Sequence, residues 1–283
     1  CIQPGSKSSS NTSFYSYRPA EQSSEDCLYL NVWAPLEALK KEKKSLLPVM
    51  IWVHGGGFKV GSSSMDLYNG SALAKKGVVV VSFNYRLGVF GYFSHPELTA
   101  ESEENSSSNY GTLDQIEALH WVNKNIAAFG GDPNNITIFG ESAGGTSVSH
   151  LMATPKAKGL FHRAILQSAT LPPTPELKRS VYGLPSAESV GLRIQKSLGV
   201  NSLASMRNLP AVDVIEAAES IPYLIDPGPI IDGELFDRQI LEVFAQGLQN
   251  KVPMLVGFTA GEGTFYYFEG EGSFSASVPD GKE

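Results

Sequence analysis

Two groups of residues in this chain have the types and spacing needed for acyl transfer. The first is Gly140-Glu141-Ser142-Ala143-Gly144, directly after the apolar run Ile136-Thr137-Ile138-Phe139. A serine flanked in this way at a strand-to-helix junction has the nucleophile-elbow pattern, in which strained backbone angles hold the hydroxyl clear of the sheet. The strand and helix approach so closely at such a turn that the positions two before and two after the serine must be nearly free of side chain, as Gly140 and Gly144 are. As a bare pattern, G-x-S-x-G also arises in Gly- and Ser-rich loops. Here a turn-forming GGDPNN (130–135) leads into a short strand, and a proline-free run from Ala143 to Thr154 gives room for three helical turns.

The second group is His54-Gly55-Gly56-Gly57-Phe58, directly after the apolar run 48–53. Attack on an ester carbonyl makes its oxygen negative, and backbone N–H groups must be aimed at that oxygen in the tetrahedral intermediate. Consecutive glycines let the main chain come that close. Alone they also describe a flexible loop, but with an elbow serine downstream they read as the strand-HGGG loop. That loop type donates two oxyanion hydrogens, and the residue after the serine, Ala143, donates the third.

The elements that must position these groups are short β-rich runs alternating with helical patterns. Strands are predicted at 28–33, 48–54, 78–84, 136–140, 163–168 and 252–257, most of them continuously apolar, as strands covered on both faces are. Ile116, Leu119, Val122, Ile126 and Phe129 recur at the spacing of an amphipathic helix. Alternation of this kind implies a largely parallel α/β sheet. From about 171 to 250 the pattern changes to helical stretches near 186–198, 211–219 and 234–247, read as an insertion that walls the substrate pocket. The polar stretch 97–108 has no period and reads as a surface loop.

With 283 residues, 42% hydrophobic and 18% charged, the chain can bury a large core in one domain. A net charge of −7 argues against nucleic acid as a partner, and the one basic run, Lys40 to Lys44 interrupted by Glu42, reads as a solvated loop. No apolar stretch reaches the roughly 18 residues needed to span a bilayer. The start at Cys1, without methionine or a signal pattern, reads as processing or as the interior of a longer protein. Cys1 and Cys27, with 25 residues between them, form a disulfide in an oxidising compartment or remain thiols in the cytosol. N-x-[ST] triplets at Asn11, Asn69, Asn105 and Asn135 are compatible with secretion, which is favoured over a cytoplasmic location, but decide little. The histidines show no paired ligand spacing and the cysteines make a poor zinc site, so neither metal nor cofactor is expected.

Beyond the two motifs, the segments 25–35, 84–93, 109–145 and 159–169 complete a pattern over most of the first 170 residues. In these segments the chain resembles the type-B carboxylesterase and cholinesterase-like family of α/β-hydrolases. The resemblance implies an α/β-hydrolase fold, a small-molecule ester as substrate, Ser142 as nucleophile, and Gly56, Gly57 and Ala143 as oxyanion donors. It implies that Cys27 is the second cysteine of the family's first disulfide, with Cys1 as partner. It also makes Glu262, in the stretch 258–263 after the last strand, the match to the family's acid, although Phe258 and Thr259 stand where the family often has other polar residues. Without that context Glu262 would read as a solvated loop carboxylate.

The hydrolase order is serine, acid, histidine, and no histidine follows Glu262. His54, His95, His120, His150 and His162 all read as structural. The expectation is therefore an incomplete α/β-hydrolase domain over 1–283, nearly inactive alone, whose base lies beyond Glu283. Two alternatives are a non-catalytic adhesion protein of the same group, disfavoured by the intact motifs, and an interfacial lipase. A lipase lid is expected between the two cysteines, where residues 2–26 are polar, and this favours an esterase of soluble esters.

Overall fold

A computed structural model describes residues 1–4, 23–39, 45–221 and 227–262. The Lys40–Lys44 run, Asn11 and most of the expected lid stretch lie outside these residues. Valine at 79–81 and the Val-Met-Ile-Trp-Val of 49–53 are the β-branched and aromatic types that suit a pleated, packed surface, and they form the middle of the sheet. Among the described residues the sheet has six strands: β1 (Leu30–Trp33), β2 (Leu47–Val53), β3 (Val79–Phe83), β4 (Gly131–Glu141), β5 (Arg163–Gln167) and β6 (Met254–Gly257). They are ordered β1-β3-β2-β4-β5-β6, and every pairing except β1 with β3 is parallel. Parallel neighbours cannot be joined by tight turns, so the chain must cross over the sheet between them. This is the mostly parallel sheet, flanked by helices, that the resemblance implies.

The crossovers carry helices α1 (Ser71–Ala74), α2 (Gly88–Gly91), α3 (Pro96–Glu101), α4 (Tyr110–Asn125), α5 (Ala143–Ala153), α6 (Ala187–Ser197), α7 (Leu203–Arg207), α8 (Ala211–Glu219) and α9 (Ile240–Ala245). In α4 the predicted stripe faces the core: Ile116, Leu119 and Val122 are buried, and the stripe continues through fully buried Ile126 in the 3-10 turn that follows. Helix α5 is buried at all 11 positions, so it lies inside the molecule and not on its surface. Strand register puts Val81, Ile51, Ile138 and Ala164 in one row across the sheet, each at most 1% exposed. Complete burial of one such aliphatic side chain contributes about 1.5–3 kcal/mol.

Three expectations need correction. The polar stretch 97–108 is not all loop: α3 occupies its start, with Pro96 in the first turn and the His95 ring accepting the Glu97 N–H as a cap. Strand β4 begins at Gly131, not at 136. Gly131 pairs with Leu47 and Ile136 with Val49, so the extra residues around Pro133 form an irregularity within the strand, where Asp132 accepts the Asn134 N–H. The helix expected over 234–247 shrinks to α9, because Asp232 draws the amides of Glu234, Leu235 and Phe236 into a side-chain-capped turn. Strand β6 is apolar as expected, and among the described residues Met254, Leu255 and Val256 are 48%, 64% and 47% exposed.

Candidate active site

Ser142 sits between β4 and α5 with φ 55° and ψ −125°, a backbone conformation that L residues rarely adopt and that costs on the order of 1–3 kcal/mol. The surroundings enforce it. The Ser142 N–H donates to the Gln167 carbonyl at 2.9 Å, and the Ser142 carbonyl accepts the Thr146 N–H at 2.9 Å. The two flanking glycines are required by contact distance: a Cβ on Gly144 would lie 2.1 Å from the Val53 carbonyl oxygen, and one on Gly140 would lie 2.5 Å from the Gly144 carbonyl carbon. Ser142 is exposed and its hydroxyl makes no capping bond to α5. The hydroxyl is therefore presented to solvent while everything behind it is packed.

The HGGG loop lies against this turn. A Cβ on Gly55 would come within 3.3 Å of the Ser142 Cβ and 2.8 Å of the Glu141 carbonyl oxygen. Gly56 (φ +109°) has the Val60 carbonyl oxygen 2.0 Å from its would-be Cβ, whereas around Gly57 (φ +61°) that volume is open. Among the described residues neither the Gly56 nor the Gly57 amide has a protein acceptor. The Ala143 amide, in the first turn of α5, is one of those that helix geometry leaves unpaired. The loop is pinned from behind: the buried Tyr85 hydroxyl donates to the His54 carbonyl at 2.8 Å, the two rings stack at 4.4 Å, and the Gly88 N–H donates to the Phe58 carbonyl at 2.7 Å. Further along, the Gln3 side chain clasps Gly61 through both its N–H and its carbonyl. Gln3 is held next to the Cys1–Cys27 disulfide, which is formed.

Glu262 follows β6 and is exposed, and its Oε2 accepts three hydrogen bonds: from the Ser168 hydroxyl at 2.9 Å, the Thr259 N–H at 3.0 Å and the Thr259 hydroxyl at 3.1 Å. These donors, Ser168 first, hold its carboxyl below the ordinary glutamate range. Thr259 thus supplies the local support left open by the sequence, and Phe258 points outward, 61% exposed. Glu141, beside the serine, is pushed upward, first by burial and then by the negative charge of Glu262. Ser168 is the residue that sequence reasoning missed. It directly follows β5 with φ 49°, donates its N–H to the Gly257 carbonyl of the neighbouring strand and reaches Glu262 across 94 positions.

All five histidines are among the described residues, and none is hydrogen-bonded to Ser142 or Glu262. His54 and His150 are buried with Nδ1 near a backbone carbonyl, and burial lowers each to a pKa of about 4. His95 caps α3 and meets Gln195, His162 accepts the Ile136 N–H, and His120 is exposed on α4. Among the described residues no group of three or more His, Cys, Asp or Glu is placed to hold a metal. None of their helices is long and apolar enough to cross a membrane.

The chain is 45% identical over 251 residues to the fumonisin B1 esterase of Sphingopyxis macrogoltabida, covering 86% of this chain and 44% of that protein. It is 40% identical over 263 residues to the para-nitrobenzyl esterase of Bacillus subtilis, covering 89% and 50%. Among solved structures, Geobacillus stearothermophilus carboxylesterase EST55 superposes with a TM-score of 0.77 at 40% identity, covering 88% of this chain and 50% of that one. The chain thus spans about half the length of the relatives it matches. The profile described as Carboxylesterase family matches residues 1–279, and this chain belongs to that family.

Proposed function

We propose that the protein is a serine hydrolase of carboxylic esters and that Ser142 carries the acyl group. The observation that supports this most directly is the strained, exposed Ser142 set against the pinned Gly55–Gly57 loop. A histidine base supplied from beyond Glu283 takes the Ser142 proton as Oγ attacks the ester carbonyl. The amides of Gly56, Gly57 and Ala143 receive the developing oxyanion. Collapse of the tetrahedral intermediate breaks the bond to the alkoxy oxygen, which leaves as the alcohol with the proton from the base, and the acyl group stays on Oγ. The same base then deprotonates water, which attacks the acyl-enzyme, and the acid leaves as Ser142 recovers its proton. Glu262, kept ionised by Ser168 and Thr259, orients the base and stabilises its charged form.

The test is covalent. The full-length protein is treated with diethyl para-nitrophenyl phosphate, whose phosphoryl group reacts with activated serines, and its peptides are mapped by mass spectrometry. One adduct on Ser142, with stoichiometric release of para-nitrophenol and loss of esterase activity, is the expected result. Reaction elsewhere, or unimpaired activity with Ser142 fully modified, would overturn the proposal.

A further inference from the structure

The Gly56 and Gly57 amides sit in a loop that turns back on itself. The Gly56 carbonyl accepts the N–H groups of both Lys59 and Val60 at 3.0 Å, so residues 56–60 close into one tight turn. On the far side of that turn the Val60 carbonyl oxygen stands 2.0 Å from where a Cβ on Gly56 would be. Gly56 is therefore seated directly against the peptide unit that joins Val60 to Gly61. Gly61 packs in turn on the start of the motif: a Cβ there would lie 2.5 Å from His54 Nδ1 and 2.8 Å from the Gly55 carbonyl oxygen.

Close approach and a φ of +125° both call for glycine at position 61. Glycine is also the residue whose torsions its own sterics restrain least, so the hold on Gly61 must come from elsewhere. It comes from Gln3. The Gln3 Oε1 accepts the Gly61 N–H at 2.9 Å, and its Nε2 donates to the Gly61 carbonyl at 3.2 Å. The two bonded groups belong to the peptide units on either side of the Gly61 Cα, so one side-chain amide fixes both torsions. Nε2 also donates to the Cys1 carbonyl at 3.2 Å, which uses its second hydrogen and sets the rotation of the amide. A peptide unit is planar and rigid. Holding the Gly61 N–H therefore also holds the Val60 carbonyl at the other end of the same unit, the one that seats Gly56.

We infer that Gln3 is a positioning residue for ester hydrolysis: its side-chain amide, acting through the Val60–Gly61 peptide, keeps the Gly56 and Gly57 amides aimed at the developing oxyanion. The inference rests on the ester-hydrolase reading above. Gln3 itself touches no reacting atom. Its contribution is alignment, and a misplacement of about 1 Å in a positioned group can cost about 10²-fold in rate. Because the oxyanion exists only after attack, the loss should fall on kcat and leave substrate binding nearly untouched.

The test uses the full-length wild type, Gln3→Met, which fills the same volume without hydrogen bonds, and Gln3→Glu, which sets a carboxylate oxygen against the two carbonyls that Nε2 serves. Each is titrated with diethyl para-nitrophenyl phosphate, and the para-nitrophenol released counts the competent serines, so that kcat is independent of any unfolded fraction. On para-nitrophenyl acetate, kcat per titrated serine should fall about 10- to 100-fold in each variant, with KM within about threefold of wild type. An aliphatic trifluoromethyl ketone, which adds to the serine as an oxyanion, should lose affinity by the same factor as kcat/KM. A kcat per serine within about twofold of wild type in both variants, with or without a lower melting temperature, would overturn the inference, as would a rise in KM at unchanged kcat. Failure of the hydrolase reading looks different: the wild type itself would release no para-nitrophenol that maps to Ser142.

Discussion

Among the described residues the middle of the sheet and its β6 edge differ in how they hold the residues that follow them. Along one register row the residues are Val81, Ile51, Ile138, Ala164 and Met254; the first four are at most 1% exposed and the last is 48% exposed. Ser142 and the HGGG loop sit over the buried middle, at the ends of β4 and β2, where glycines allow backbone to touch backbone and Tyr85 locks the loop from behind. Glu262 follows β6 and is held by three hydrogen bonds among the described residues. The geometry at Ser142 is thus enforced by close packing, while that at Glu262 rests on polar contacts.

The contrast is broken most directly at its strongest point. Ser142→Ala in the full-length protein should lower kcat on para-nitrophenyl acetate by about 10⁵-fold or more, with a melting temperature at or slightly above that of the wild type, since alanine removes the reacting atom and keeps the turn. Activity within tenfold of wild type would remove the serine from the mechanism.

Both regions were legible in the sequence to different degrees, for the same physical reason. GESAG and HGGG can be read because close backbone approach admits glycine alone, and that requirement is written at fixed offsets from the serine. Ser168 could not be read, because it follows β5 directly and meets Glu262 only through strand pairing across 94 positions. A serine at a strand end carries no local mark, and the run 163–168 read as strand throughout. Helix α3 was hidden because its cap is a histidine ring and its exposed face has no apolar period.

Packing should fail next. Gly144→Ala places a methyl carbon 2.1 Å from the Val53 carbonyl oxygen, and since backbone cannot yield as a side chain end can, the expected loss is about 4 kcal/mol or more. Gly57→Ala meets no atom within 4 Å and pays only for its positive φ, about 1–2 kcal/mol. Urea unfolding of both variants checks the order; equal losses would mean that the elbow is not close-packed.

The buried side also carries an acid sensitivity. His150, with its pKa at about 4 in the fold and an ordinary value of 6.5 when unfolded, is neutral in the native state while the unfolded chain takes up a proton. Stability should therefore be intact above pH 6.5 and fall as pH drops toward 4, by up to about 3 kcal/mol for this residue. Melting temperatures from pH 7.5 to 4.5 should show a shallower decline in His150→Gln than in the wild type, and parallel curves would refute the assignment.

The smallest effect is expected at the β6 edge. Ser168→Ala removes the first of three donors to Glu262 and should lower kcat about tenfold, with stability changed by less than about 1 kcal/mol. Because the carboxyl loses a donor that favours its ionised form, the acidic limb of the kcat profile should also move to higher pH, which a purely structural role would not cause.

The disulfide joins the ends of a segment whose first residues brace the HGGG loop through Gln3 and Gly61. That linkage makes the loop responsive to the thiol chemistry of its surroundings. A purification buffer containing dithiothreitol would act on the alignment of the HGGG glycines as well as on covalent integrity, so two preparations of identical sequence handled with and without reductant would differ in the shape of that loop.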